Sequence, residues 1–312
     1  MTKVVMRVEG LTKSFGSLTA VNNLDLDVLE GEILGFLGPN GAGKTTAISM
    51  MCGLLKPDSG TVILHGEPIA DRARSRIGLC PQDIALWDRL SCVEQLQFAA
   101  AMHGLPRARA RAASERLLSE FGLSEKRNKQ ARTLSGGMQR RLNVALALVH
   151  DPDIVFLDEP EIGLDPQSRV MVRDYIRSFA GAKTVILTTH NMDEADRLSD
   201  RVAIIDHGEL LALDTSTALK RSIGEEDVLE IELAARPSDP ESVRTVIAEL
   251  SCNAEFDSTG SVLYVRGSSV FKRLPAIAEE LTKAGAEFGE MRIRQTTLED
   301  VFIRLTGRSL RQ

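Results

Sequence analysis

The chain has 312 residues, of which 43% are hydrophobic and 26% are charged, and its formal net charge is −6. This length predicts one large domain and a smaller one, and the acidic balance argues against a dedicated nucleic-acid binder. The apolar runs have the length of strands, well short of the roughly 20-residue helix that crosses a membrane, and the N-terminal residues lack the apolar core of a signal peptide.

Short alternating strands are predicted over residues 1–36, with glycine-containing turns between them. The segment 37-LGPNGAGKTT-46 follows the last of these strands and opens a helix, which ends at the turn 56-KPDSG-60. A further strand is predicted at 61-TVILHG-66. This strand–loop–helix order places a glycine-rich loop at the end of a buried strand.

The segment 38-GPNGAGKT-45 matches the phosphate-binding pattern G-x-x-x-x-G-K-[ST] in full. Its glycines let backbone N–H groups turn toward phosphates, and the following helix N-terminus favours negative charge. Lys44 is predicted to hold the β- and γ-phosphates, Thr45 to ligate Mg²⁺, and Thr46 to add a phosphate hydrogen bond. The predicted nucleotide-binding residues of this loop are Gly38, Pro39, Asn40, Gly41, Ala42, Gly43, Lys44, Thr45 and Thr46.

Residues 88–127 carry apolar residues at helical spacing, which predicts a helical insertion. From residue 140 to 207 helices alternate with short apolar strands, and this alternation predicts a parallel sheet covered by helices. The strand 154-IVFLDE-159 ends in two acids. We expect Asp158 to hold Mg²⁺, and Glu159 to orient or deprotonate the attacking water.

A second glycine-rich segment, 133-TLSGGMQRRL-142, also has the form of a phosphate-binding loop that opens a helix. Two loops on separate rigid arms of one chain cannot both enclose the same nucleotide. Two chains paired head to tail can, because each offers this segment to the nucleotide held by its partner. We therefore expect a dimer in which Ser135, Gly136 and Gly137 of each chain close the site of the other.

Beyond residue 220 the predicted order is β-α-β-β-α-β, followed by an amphipathic helix at 297–307. This order resembles a ferredoxin-like domain. The predicted domains are an α/β domain at 1–220, with a helical subdomain at about 83–140, and a small α+β accessory domain at 221–312. The accessory domain shows no glycine fingerprint or metal set, which favours a packing or dimer-stabilising role over a regulatory sensor. The predicted strands are 228–233, 253–257, 261–266 and 288–294, and the predicted helices are 241–250 and 269–284.

With these motifs in this order, 134-LSGGMQRR-141 resembles the ABC-transporter signature, and residues 4–220 are similar to the ATP-binding subunits of that family. The resemblance implies the P-loop NTPase fold of ABC ATPases, with ATP and Mg²⁺ as ligands. The signature residues that act in trans would be Ser135, Gly136, Gly137 and Gln139.

The same resemblance implies roles for four residues outside the two glycine-rich loops. Phe15 matches the aromatic residue that stacks on adenine, and Gln82 matches the glutamine that senses the γ-phosphate and ligates Mg²⁺. Asp165, in 163-GLDP-166, matches the loop that contacts the opposite subunit. His190 matches the histidine that clamps the γ-phosphate and assists catalysis.

One residue departs from the family pattern, which usually has threonine after Asp-Glu-Pro, whereas this chain has Glu161. A third carboxylate near Asp158 and Glu159 would raise a carboxyl pKa if it faced them. In that case we expect Glu161 to slow hydrolysis or to alter the dimer contact. The alternative is that Glu161 points away or pairs with an arginine.

Three classes of ABC protein remain open, and the transporter subunit fits best. The translation class usually carries two ATPase units in a chain, the DNA-repair class a long coiled coil, and a regulatory switch would lack the catalytic acid. The segment 77-IGLCPQDIALWDRLS-91, the region after residue 220 and the final helix resemble the ATPases of ABC-2-type exporters, including daunorubicin-resistance ATPases.

That resemblance implies a separate integral membrane permease, a second and identical ATPase subunit, and export of drugs, lipids or other small molecules. The protein would then lie at the cytoplasmic face of the cell membrane, attached through the permease. Trp87, the one tryptophan of the chain, is either an anchor for the permease or part of the helical core.

Overall fold

The computed structural model describes residues 3–69, 75–223, 227–234, 239–256, 260–267 and 270–307. The chain forms two compact units, Met1–Ser216 and Thr217–Gln312, called here the larger and the smaller unit. Two predicted element ends, residues 257 and 269, lie outside the described residues.

The larger unit contains two sheets and a set of helices between and beside their strands. Its strands are β1 (Val4–Phe15), β2 (Leu18–Leu29), β3 (Ile33–Leu37), β4 (Ser59–Leu64), β5 (Glu67–Pro68), β6 (Ile77–Cys80), β7 (Ile154–Asp158), β8 (Thr184–Thr189), β9 (Arg201–Asp206) and β10 (Glu209–Asp214). Its helices are α1 (Lys44–Met51), α2 (Cys92–Met102), α3 (Arg107–Glu120), α4 (Gly136–Leu148), α5 (Pro166–Arg177) and α6 (Met192–Leu198), and α7 (Ser216–Ser222) spans the division between the units.

The six-stranded sheet has the order β10-β9-β3-β8-β7-β6 and is parallel except for β10. Strands β7 and β8 are buried at every residue, as expected for parallel strands covered on both faces. The other sheet is antiparallel, with the order β2-β1-β4-β5. This architecture confirms the predicted α/β fold. Strand β10 is not predicted from the sequence, and it is half-buried along most of its length.

Alternation along β7 divides the core of the larger unit into two layers. Ile154 and Phe156 pack on one face of the sheet, in a cluster with α1 and the antiparallel sheet. Val155 and Leu157 point to the other face, in a cluster with the helices α2 to α5. The parallel sheet is therefore the middle layer, and its strand ends are held in place by apolar packing on both sides.

The helices α2, α4 and α5 each begin with a side-chain cap. At α2, Ser91 and Glu94 form a reciprocal capping box. The side chains of Ser135 and Asp165 cap α4 and α5, respectively. These caps fix where the signature segment and the Asp165 loop turn into helices.

The smaller unit is a four-stranded antiparallel sheet with helices. Its elements are β11 (Asp227–Leu233), α8 (Pro240–Glu249), β12 (Asn253–Phe256), β13 (Val262–Gly267), α9 (Val270–Lys283), β14 (Phe288–Arg294) and α10 (Leu298–Thr306). The strand order β12-β13-β11-β14 is that of a split β-α-β arrangement. Leu229 and Ile231 of β11 pack with Val243 of α8 and Ile277 of α9, so this unit has its own core.

The last helix, α10, is tied to this sheet through one buried carboxylate. Asp300 accepts hydrogen bonds from Arg266 at 2.7 Å and from Arg294 at 2.6 Å, and it completes a capping box with Thr297. Burial alone would raise the pKa of Asp300, but these donors hold it well below its ordinary range.

Candidate active site

The candidate site lies at the carboxyl ends of the parallel strands β3, β8, β7 and β6, which are neighbours in that order. The glycine-rich loop follows β3, His190 follows β8, the acids 158–159 end β7, and Gln82 follows β6. Open α/β sheets bind ligands at this edge. The structure therefore brings four of the predicted motifs together.

The loop before α1 needs its glycines for two physical reasons. Gly41 and Gly43 have φ angles of 80° and 98°, in the left-handed region that disfavours side chains. A Cβ on Gly43 would lie 2.2 Å from the carbonyl oxygen of Ala20 in β2, so the loop packs directly against that strand. The backbone can turn and approach closely only because no side chain intervenes.

Lys44 is buried at the start of α1 and points back along the loop. Its Nζ donates to the carbonyl oxygens of Gly38 at 2.7 Å and Pro39 at 3.0 Å, and lies 3.6 Å from Oε1 of Glu159. Burial lowers the pKa of Lys44, and the charge of Glu159 opposes that shift. The ammonium group is thus fixed between the loop and the acid that ends the sheet.

The two acids at the end of β7 are held by a threonine of the neighbouring strand. The hydroxyl of Thr188 donates to Oδ1 of Asp158 and accepts the backbone N–H of Glu159 at 2.9 Å. Asp158 is buried, so its carboxylate has one fixed orientation. Thr188 is not predicted from the sequence, because its contact with Asp158 joins two strands whose residues are 30 positions apart.

Glu159 is buried and has an unusual backbone conformation. It is 6% exposed, its φ of 51° lies in the left-handed region, and its Oε2 is 2.7 Å from Nδ1 of His190. A non-glycine residue in this region is strained, and such strain concentrates at functional positions. The carboxylate therefore lies between the Lys44 ammonium and the imidazole of His190.

The signature segment starts α4 with exposed residues. Ser135 caps the helix by accepting the Met138 N–H at 3.3 Å, and Gly136 is exposed. A Cβ on Gly137 would meet Oδ2 of Asp165 at 3.0 Å, so the signature segment packs on the Asp165 loop of its own chain. The side-chain amide of Gln139 donates a hydrogen bond to the Ala131 carbonyl of the same chain at 2.9 Å.

Asp165 lies exposed at the start of α5. Its carboxylate accepts the Ser168 N–H at 2.9 Å and the Ser168 hydroxyl at 2.7 Å. These hydrogen bonds hold the pKa of Asp165 below its ordinary value. An ionised, rigid carboxylate is thus presented at the surface beside the signature segment.

Three further predicted residues are at the surface. Phe15 is 52% exposed at the β1–β2 turn, with Nζ of Lys13 5.8 Å from its ring centre. Gln82 is exposed in the loop after β6, and Thr45 is exposed in the first turn of α1. All three are accessible to a ligand.

Glu161 does not face Asp158 or Glu159 as a third free carboxylate. It is buried and forms a two-point ion pair with Arg173 of α5, with N–O distances of 3.0 and 2.8 Å. Nε of Arg169 lies 3.7 Å from Oε2 of Glu161. Of the two alternatives left open by the sequence, the structure has the arginine pair.

Trp87 lies beside a cleft of about 290 Å³ between the loop after β6 and the helices α2 and α4. It is 46% exposed, and its ring meets that of Phe98 edge to face at 5.1 Å. Phe98 and Met102, one turn apart on α2, are also exposed. We call Trp87, Phe98 and Met102 the aromatic surface.

Comparison with known proteins identifies the family. The ABC transporter family matches residues 21–161. The daunorubicin/doxorubicin resistance ATP-binding protein of Streptomyces peucetius is 40% identical, covering 97% of this chain and 92% of that protein. The Nod factor export ATP-binding protein I of Ralstonia nicotianae is 41% identical, with coverages of 98% and 95%.

The structure agrees with these sequence matches. A solved ATP-binding subunit of an ABC transporter superposes with a TM-score of 0.65 at 27% identity, covering 70% of this chain and 93% of that one. In the described part of the chain, no helix is both long enough and apolar enough to cross a bilayer. The chain therefore belongs to the ABC transporter family, as one of its ATP-binding and ATP-hydrolysing proteins.

Proposed function

We propose that this chain is the ATPase subunit of an exporter and powers a separate membrane permease of the ABC-2 type. The observation that carries the proposal is Glu159, buried between Lys44 and His190 beside a complete phosphate loop. Similarity over nearly the whole chain to a daunorubicin resistance protein and a Nod factor export protein supports export. The cargo would be a drug, lipid or other small molecule.

ATP binds in the loop 38–45, with its adenine on Phe15. The backbone N–H groups of the loop and the N-terminus of α1 face the phosphates, and Lys44 shifts from the Gly38 and Pro39 carbonyls toward the β- and γ-phosphates. Phe15 is exposed on the hairpin whose second strand packs against Gly43. This arrangement supports a role for its ring as the adenine platform.

The oxygen donors of the site fit Mg²⁺. Thr45 offers an exposed hydroxyl, Asp158 a carboxylate oriented by Thr188, and Gln82 an amide on the loop after β6. Hard oxygen donors combined with substrate phosphates are the ligands that Mg²⁺ prefers. When bound, the metal would neutralise negative charge on the phosphates.

Glu159 would serve as the base that orients and deprotonates the attacking water. The carboxylate of Glu159 is held by its hydrogen bond with His190, and the backbone N–H of Glu159 is held by Thr188. Lys44 and His190 would stabilise charge on the transferred phosphoryl group. ADP and phosphate release would then reopen the site.

The partner ATPase would be a second copy of this chain, paired head to tail. Ser135 and Gly136 are exposed, and the packing of Gly137 on the Asp165 loop forms one surface from the two motifs predicted to contact the other subunit. Closure on ATP would be a ligand-driven population shift. An isologous pair of this kind contains two ATP sites.

The aromatic surface would receive the cytoplasmic part of the permease. Exposed aromatic residues beside a cleft are typical anchors of protein interfaces, and Trp87 follows the Gln82 loop, so docking and nucleotide sensing would be linked through a short segment. The protein would lie at the cytoplasmic face of the membrane, held through the permease. No feature of the sequence or of the described residues favours a translation protein, a DNA-repair protein or a regulatory switch.

The smaller unit would be an accessory domain. Its described core residues and the described partners of Asp300 belong to the same unit, which supports a packing or dimer-stabilising role. The helical region from about 83 to 140 would act as the subdomain that carries the signature.

The proposal is tested by gentle detergent extraction of the tagged chain from its native membranes, with mass spectrometry of the proteins retained. We expect a polytopic membrane protein in stoichiometric amount, and its loss when Trp87→Ala and Phe98→Ala are combined. Phe271→Ala is the matched control, because Phe271 is an exposed aromatic residue of the smaller unit. Retention of ribosomes or DNA-repair proteins, or of no membrane protein, would contradict the transport role.

A further inference from the structure

Arg140, in the second turn of the signature helix α4, is a buried arginine whose role the motif assignments leave open. It is 2% exposed and is among the largest fully enclosed side chains of the described residues. An enclosed guanidinium is costly unless its donors are satisfied. Five hydrogen bonds are described for it, and all of them end on main-chain carbonyl oxygens.

These bonds join three segments of the candidate site. Nη1 donates to the carbonyls of Pro81 at 2.9 Å and Gln82 at 2.7 Å. Nη2 donates to the carbonyl of Asp158 at 2.7 Å and to that of Glu159. Nε donates to the Pro160 carbonyl at 3.2 Å. One planar group therefore binds the glutamine loop and the end of β7 to the helix of the signature segment.

The planar fork is what allows this connection. A guanidinium has five N–H donors in fixed directions, whereas a lysine ammonium has three on a single atom. The five described bonds match the five donors, so the cation is compensated by carbonyl dipoles of two different loops. A smaller or more flexible group would leave buried carbonyls without donors, each at an energetic cost.

Arg140 also explains how Glu159 keeps its strained backbone. The φ of Glu159 is 51°, and the peptide groups on both sides of this residue are held by hydrogen bonds. Thr188 holds the N–H of Glu159, and Arg140 holds its carbonyl together with that of Asp158. A conformation of this kind persists only when its surroundings fix it.

We propose that Arg140 is a positioning residue that sets the backbone of Glu159 and holds the Gln82 loop against it, so that the base meets water in the productive geometry. Since its helix begins with the signature, Arg140 also connects the surface offered to the partner's ATP with the chain's own base. The inference rests on the proposed function and names a further residue of the same site.

Arg141 is the matched control that the chain itself supplies. It is the next residue of α4 and is also buried, but it donates to the Phe121 carbonyl at 2.8 Å and contacts Sδ of Met171. It therefore joins α4 to the end of α3 and to α5, away from the glutamine loop and the acids. A general loss of packing in α4 should affect both arginines, whereas loss of positioning should appear only at Arg140.

The test compares Arg140→Lys, Arg140→Gln and Arg141→Lys with the wild-type chain. The readouts are the thermal unfolding midpoint, the Kd for ATP and single-turnover hydrolysis. For both Arg140 variants we expect a hydrolysis rate lower by about 100-fold, because small misplacement of a catalytic group has effects of that order. The Kd should change by less than about threefold, since none of the five described hydrogen bonds of Arg140 ends on the nucleotide loop 38–45. Arg141→Lys, measured below its unfolding midpoint, should hydrolyse ATP at least about tenfold faster than either Arg140 variant, because Arg141 has no described contact with Glu159 or the Gln82 loop.

A double variant separates positioning from general damage. If Arg140 acts through Glu159, then Arg140→Lys in the Glu159→Gln background should lower the remaining rate by less than about threefold, because coupled residues are not additive. Multiplication of the two single effects would overturn the inference.

Three other results would also be decisive. Hydrolysis by Arg140→Lys within about threefold of wild type would refute positioning while leaving the ATPase function intact. A parallel loss of stability, ATP affinity and rate in the Arg140 and Arg141 variants would show a purely structural role. A wild-type chain that does not hydrolyse ATP would reject the proposed function itself, and the inference with it.

Discussion

Glu159 shows what residue types alone can and cannot predict. An apolar strand ending in two acids, downstream of a phosphate loop, predicts the base and the metal-binding acid from the sequence. The backbone φ of Glu159 and its contacts with Lys44 and His190 depend on how strands distant in sequence are arranged. Thr188 and Arg140 were missed for the same reason, because their partners are about 20 to 60 residues away in the chain.

Glu159→Gln should separate ATP binding from hydrolysis. The amide keeps the size of the side chain but cannot accept the proton of water, so turnover should fall by roughly 10²- to 10⁴-fold. ATP should still bind and should hold the variant as a dimer, which sedimentation with and without ATP would show. Glu30→Gln, an exposed surface change, is the control. A variant that is monomeric with ATP and dimeric without it would be inconsistent with the scheme.

Glu194 predicts a pH dependence of stability. Burial, then the charges of Glu161 and Glu159, raises its pKa from 4.5 to about 8. The folded state therefore binds an extra proton between these two values, so the contribution of Glu194 is most favourable below pH 4.5 and is lost as pH rises toward 8. Oε1 of Glu194 is buried and has no described hydrogen-bond partner, so ionising this carboxyl in the folded state is energetically unfavourable.

Glu194→Gln should remove this dependence, because the amide does not ionise. Relative to wild type, the variant should gain up to about 1.4 kcal/mol in free energy of unfolding for each pH unit across the window. Urea unfolding at pH 5 and pH 8.5 measures the difference, and the pH 5 comparison serves as the internal control. An equal difference at both pH values would show that Glu194 is ionised in the fold.

At the scale of elements, the predicted helices and strands of residues 140–207 agree with the structure, because the apolar residues of each segment follow a pattern typical of one type of element. Strand β7 is a continuous apolar run, and α5 alternates buried and exposed residues at helical spacing. Strand β10 was missed since it is antiparallel, lies at the sheet edge and is only half-buried. An edge strand has a weaker apolar pattern than a central one.

Arg173, on helix α5, is the ion-pair partner of Glu161, the residue that departs from the family pattern. Glu161→Thr would leave Arg173, whose side chain is 18% exposed, without its two-point partner. The free energy of unfolding should fall by roughly 1–3 kcal/mol, because one charge of a nearly buried pair remains unpaired. Adding Arg173→Leu should recover part of that loss, as measured by urea unfolding.

The same variant decides whether Glu161 acts on hydrolysis. Since Glu161 is turned toward Arg173 and Arg169, turnover per folded Glu161→Thr chain should stay within about threefold of wild type. A rise well above that range would favour the alternative, in which Glu161 slows hydrolysis.

At the scale of the whole molecule, the chain is an ATPase unit followed by a unit with its own core. The sequence pattern changes from alternating helices and parallel strands to a β-α-β-β-α-β order, which predicts a boundary after residue 220. In the structure the division falls between Ser216 and Thr217. The sequence does not predict what the smaller unit does, because packing residues rather than a ligand motif dominate its core.

The central claim is that two copies of this chain share their ATP sites, each copy offering its signature segment to the other's nucleotide. Ser135 is exposed at the start of α4, and Lys44 is buried in the nucleotide loop. Each half of a shared site can therefore be disabled by a separate variant. Lys44→Ala removes the proposed phosphate ligand, and Ser135→Arg should block the surface that we propose is offered to the partner. Each variant alone should be inactive.

The most direct test is therefore hydrolysis by an equal mixture of these two variants. A mixed dimer has one intact site, built from the loop of the Ser135→Arg chain and the signature of the Lys44→Ala chain. The account predicts recovery of roughly a quarter of wild-type turnover, because half of randomly formed dimers are mixed and half of their sites are intact. A mixture as inactive as its components, or a Ser135→Arg chain that is fully active alone, would contradict the shared site.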